Sequence, residues 1–124
     1  MAAHPKETTA TDRTVTYILQ GQEYKVANAS AALVEILTSI VARDPGRIPE
    51  LARAVSGTKV NHIARTPAEI NPAKPHLARG AEIAPDWLVG LNIANRTKMS
   101  IIRTACEIYG LKMPDDINVI LPNS

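Results

Sequence analysis

Phenylalanine is absent from this sequence, and Trp87, Tyr17, Tyr24 and Tyr109 are its only other large aromatic residues. Any core must therefore be aliphatic, built from Ile, Leu, Val and Ala. Cys106 is the single cysteine, which excludes an internal disulfide and makes a reducing, cytoplasmic setting the expectation. No apolar run approaches the roughly 18 residues of a membrane span. Residues 1–13, MAAHPKETTATDR, lack the apolar centre of a secretory signal and any hydrophobic period, so they read as a disordered tail. An excess of one charge is missing too. Fourteen Lys and Arg stand against twelve Asp and Glu, a formal net charge of +2. That balance permits a polyanionic partner without requiring one, and the clustering of the positive groups decides.

Catalytic and metal-binding patterns are also lacking. His4, His62 and His76 lie far apart, with no cysteine pair to complete a ligand set. No glycine-rich phosphate loop or serine elbow occurs, and Asp115-Asp116 reads as a turn rather than an acid–base pair. The expectation is a protein that is not an enzyme, with no cofactor and no metal.

What is present fits one domain over residues 14–124. At 124 residues the chain can bury one good core but not two. TVTYILQGQEYKV, residues 14–26, alternates around a turn containing Gly21 and predicts a β-hairpin. Leu33, Ile36, Leu37, Ile40 and Val41 share one face of a helix from Ser30, as its cap, to about Arg43. RIPELARAV predicts a shorter helix with Pro49 in its first turn, and KVNHIAR, residues 59–65, a strand. Thr66-Pro67-Ala68-Glu69 spells a capping box for another short helix. Residues 71–86 read as an irregular loop, residues 87–91 as a strand, and residues 95–109 as a helix ended by Gly110. INVIL, residues 117–121, predicts a last strand. Strands separated by helices argue an α+β fold, a small sheet with an N-terminal hairpin and helices packed on one side.

One stretch stands out. In WLVGLNIANRTKMSII an apolar strand meets a polar corner and then a helix whose first turn carries Arg96, Thr97 and Lys98. Cations at a helix start oppose the helix dipole unless something negative comes to the site. Asn92 and Asn95 add amides that can cap the helix or pair with an adenine edge. Lys59, His62 and Arg65 approach this corner if residues 59–65 and 87–91 are neighbouring strands. Lys74, His76 and Arg79 form another basic group in the loop before it. The bland alternative is that Asn92 or Asn95 only caps the helix while the cations extend into water.

The stretches VEILTSIVARDPGRIPELARAVSGTKVNHIA and KPHLARGAEIAPDWLVGLNIANRTKMSIIRTACEIYGL resemble the C-terminal DNA-binding domain of the bacterial SeqA family of replication-sequestration proteins. The order of elements from about Leu33 to Val119 is similar. The resemblance implies binding of duplex DNA, in SeqA itself at hemimethylated GATC. Asn92 matches the first base-reading asparagine of the family's loop, Lys98 the lysine that begins the helix, and Lys59 one residue of a basic strand start. Ala94 stands where the loop's second asparagine would be, and Thr58 and Val60 replace two flanking arginines. Fewer cations imply fewer phosphate contacts and weaker binding.

The leading expectation is a non-catalytic module that binds duplex DNA through Asn92, Asn95, Arg96, Thr97 and Lys98, assisted by Lys59, His62 and Arg65. The alternative is a protein-interaction or homodimerisation module on the same scaffold, using the hairpin edge. A third reading is a small enzyme or regulator that takes a free phosphate or nucleotide at the same helix start.

Overall fold

The computed structural model describes residues 14–57, 60–74 and 79–121. The expected tail and the residues His4, Lys59 and His76 lie outside the described residues. The fold is α+β. Its N-terminal hairpin pairs β1 (Val15–Leu19) with β2 (Gln22–Val26), with Tyr17 opposite Tyr24. Gln20 and Gly21 both have positive φ, 53° and 80°, as a two-residue primed turn requires. The Tyr17 and Tyr24 rings stack at 5.2 Å, and the Tyr17 hydroxyl donates to Glu35 Oε1 at 2.9 Å.

Helix α1 (Ala29–Val41) follows, and its cap is Asn28 rather than the expected Ser30. Asn28 Oδ1 accepts from the Ala31 N–H at 2.8 Å. Asp44 then starts a 3-10 turn (Pro45–Arg47) leading into α2 (Ile48–Ala54). The segment expected as a strand over 59–65 forms ladder pairing only in β3 (Ile63–Ala64), with a single bridge from Asn61 to Ser56. Thr66 caps α3 (Pro67–Ile70) as expected, its side chain accepting from the Glu69 N–H at 3.2 Å.

The expectation of an irregular loop through residue 86 fails. β4 (Gly80–Ala84) pairs antiparallel with β5 (Trp87–Gly90) around a Pro85-Asp86 turn in which Asp86 has φ 67°. Gly80 and Gly90 face each other in this pair. A Cβ on either would come within 3.0 or 3.1 Å of the Ile70 side chain, so the two glycines let α3 rest on the sheet. Helix α4 (Asn95–Tyr109) has the expected bounds, and Gly110 ends it at φ 71°. The Leu111 N–H returns to the Cys106 carbonyl at 2.8 Å. A turn over residues 113–116 leads to β6 (Ile117–Val119), which pairs with β1.

Among the described residues the six strands form two sheets, ordered β2-β1-β6 and β3-β5-β4. Helix α1 joins them. Its Leu33, Ile36, Leu37 and Ile40 lie in one continuous core with Val15 and Tyr17 of the first sheet, Ile63 and Val89 of the second, and Ile101 and Ile102 of α4. Tyr109 and Arg47 bind the corner after α1 to α4. The Tyr109 hydroxyl donates to the Asp44 carbonyl at 2.8 Å, and Arg47 donates to the Ile108 carbonyl at 3.4 Å. No helix among the described residues is long and apolar enough to cross a membrane.

Candidate nucleic-acid interface

The second sheet brings three separate segments to the start of α4. At the end of β5 the Gly90 N–H donates to the His62 carbonyl at 2.8 Å, and the Leu91 N–H donates to the Arg79 carbonyl at 2.7 Å. The chain leaves the sheet between these neighbours. The Ile93 N–H returns to the Leu91 carbonyl at 2.9 Å, a three-residue turn centred on Asn92. That turn leaves Asn92 exposed at the apex of the corner.

Ala94 is the cap residue of α4 and offers no side-chain acceptor. No acidic residue occupies the first turn. The first N–H groups of a helix have no intrahelical carbonyl to bind, so this end keeps its partial positive charge without an internal counterweight from its cap. Arg96 is exposed there, and Thr97 is half-buried beside it. The ion pairs among the described residues are those of Arg47 with Asp44 and Glu50, so neither Arg79 nor Arg96 is neutralised by one.

Lys98 departs most from the expected site. It is 6% exposed, the one buried charged residue among those described. Its Nζ donates to the Ile93 carbonyl and to Asn95 Oδ1, each at 3.1 Å. Burial lowers the Lys98 ammonium below its usual lysine range. The lysine therefore clamps the corner from inside, where an external phosphate has no access to it. Asn95 is half-buried and spends its Oδ1 on that clamp instead of capping the helix.

His62 and Arg65 part company. The β3–β5 register sets Ile63 opposite Val89 and Ala64 opposite Leu88, which leaves His62 at the corner end and Arg65 at the other. The Arg65 guanidinium lies 4.8 Å above the Trp87 ring, four residues along the strand from Leu91, about 13 Å away. Glu69 Oε1 accepts from the Arg65 N–H at 3.1 Å. The His62 imidazole is half-buried, its Nδ1 has no hydrogen-bond partner, and desolvation holds its pKa below 6.5.

Arg79 belongs to the corner although the sequence placed it in a loop. It is exposed, and its carbonyl is bonded to Leu91. A strand prediction over residues 80–84 would have found it. The burial of Lys98 also left a signal: it precedes Ile101 and Ile102 by three and four residues, on the face that α4 turns inward. Among the described residues no cluster of His, Cys, Asp and Glu could hold a metal ion. The arrangement offers an exposed amide at Asn92, an exposed Arg96 on a helix start without a side-chain cap, and an exposed Arg79 whose backbone is bonded to Leu91, neither arginine in an ion pair among the described residues. These groups can donate hydrogen bonds and attract an anion, and no nucleophile with an adjacent base stands among them. Comparison with protein-family models, curated proteins and solved structures finds no match for this chain.

Proposed function

We propose that the chain is a non-catalytic DNA-binding module that meets duplex DNA at the corner formed by residues 79–80, 90–92 and 94–97. The observation that carries this reading is that the Leu91–Arg79 backbone bond brings exposed Arg79 beside the stretch that carries exposed Asn92 and Arg96 into a helix start with no capping side chain. Arg79, Arg96 and the first-turn amides contact phosphates and position the domain, and Asn92 reaches a base edge. Lys98 and Asn95 hold the corner in shape. The resemblance of the sequence to the SeqA DNA-binding domain points to the same reading. His62 borders the surface, and Arg65 lies on Trp87 at the far end of the sheet, outside it.

Fluorescence anisotropy with a labelled duplex at several salt concentrations tests it. Binding is saturable and weakens with salt, and Arg96→Ala lowers the slope of log K against log salt by about one. Asn92→Ala costs about 1–3 kcal/mol of discrimination between sequences while leaving that slope in place. Parent-like binding by both variants refutes the assignment.

The outer edge of β2, which no described strand covers, favours the alternative of a protein-interaction or homodimerisation module. Light scattering separates the two readings. A stable dimer with no affinity for duplex supports the second.

A further inference from the structure

A half-open groove of about 910 Å3 runs between α4 and the chain around β6 and reaches Ala94, Asn95 and Arg96 at the start of α4. Its floor includes Met99, Cys106, Leu111, Met113 and Val119, and Ile120, 82% exposed, stands at its lip. Small-molecule sites commonly occupy about 300–1,000 Å3 and combine an apolar lining with a few placed polar groups. Methionines make such a lining adaptable to the shape of a hydrocarbon or ring. The charged residues on the rim are Arg96, Arg103 and Glu107. Arg96 and Arg103 are seven residues apart, two turns of helix, and so stand on one side of α4. Both are exposed, and neither forms an ion pair among the described residues. Two guanidinium groups against one carboxylate leave the rim with one net positive charge.

We propose that this groove binds an amphipathic monocarboxylate, with its apolar body on the methionine-lined floor and its acid group between Arg96 and Arg103. A second acid group on the ligand would meet Glu107, so the rim selects a single charge. A guanidinium can accept a carboxylate in a two-pronged contact, which fixes the direction in which the ligand lies. The site shares Arg96 with the proposed DNA-binding corner, while Arg103 and the floor take no part in that corner.

The test uses the full chain and anilinonaphthalene sulfonate, a fluorescent apolar anion. The expected result is a saturable rise in fluorescence, reversed by dodecanoate at submicellar concentration but not by dodecanol or dodecylammonium. Arg103→Glu weakens dodecanoate binding by about tenfold or more, the loss of a charge-assisted contact. Arg53→Glu, an exposed charge reversal on α2 outside the groove, leaves binding unchanged. Thermal melts confirm that both variants fold. Equal displacement by the three dodecyl compounds, or equal weakening by the two reversals, overturns the proposal. Arg103 lies outside the corner, so the duplex affinity of Arg103→Glu distinguishes failure of the groove from failure of the DNA-binding reading.

Discussion

A lysine usually keeps its ammonium in water, and burying one without a carboxylate partner is costly. Among the described residues Lys98 offsets that cost through the Ile93 carbonyl and Asn95 Oδ1. Lys98→Met keeps the apolar stem but strands those acceptors. The expected result is a loss of about 1–3 kcal/mol in chemical denaturation. Duplex affinity falls with it because the Asn92 turn loosens, while the salt slope remains at the parent value. His62 gives a pH-dependent counterpart. Its folded pKa lies below 6.5, so as pH falls through 6.5 the unfolded chain takes up the proton first. The stability contributed by neutral His62 is complete above 6.5 and is lost as pH drops toward the folded value. His62→Gln is expected to flatten the denaturation midpoint between neutral and mildly acidic pH, and an unchanged acid slope would show that the imidazole is not the group responsible.

At the scale of the element, α4 sets its cap against its surroundings. Ala94 is a poor cap, and replacing it with a residue that can accept from the first turn should stabilise the helix by about 0.5–2 kcal/mol. Ala94→Asp also puts a negative charge where the proposed phosphate sits. The expected outcome is a higher melting temperature together with weaker duplex binding, whereas Ala94→Ser raises the melting temperature with a smaller effect on binding. A fall in both quantities for Ala94→Asp would point to misfolding of the corner. The bounds of α4 were legible because its apolar period runs unbroken from Met99 to Tyr109 and Gly110 supplies a left-handed stop. β4 was not legible: of Gly80, Ala81, Glu82, Ile83 and Ala84, only Ile83 is a large apolar residue. That strand exists because β5 lies beside it and because facing glycines admit Ile70, both of which are tertiary facts. Asn28 and Ser30 are both good caps, and the periodic pattern of α1 alone does not choose between them.

For the whole molecule, the sequence indicated the α+β class and the hairpin, while the division into two sheets around α1 depends on long-range pairing. The same pairing decided the candidate site. The expected approach of Lys59, His62 and Arg65 to the corner requires residues 59–65 and 87–91 to be neighbouring strands. The antiparallel register meets it for His62 while carrying Arg65 to the far end, over Trp87. Arg79 joins the corner for the same reason. The most direct test of the corner as the DNA-contacting surface is an NMR titration of the labelled chain with a short duplex, following every backbone amide. The largest shifts are expected on residues 79–80, 91–93 and 95–97, with β1 and β2 unmoved. Shifts confined to the hairpin, or none at the corner when duplex is in excess, would contradict it.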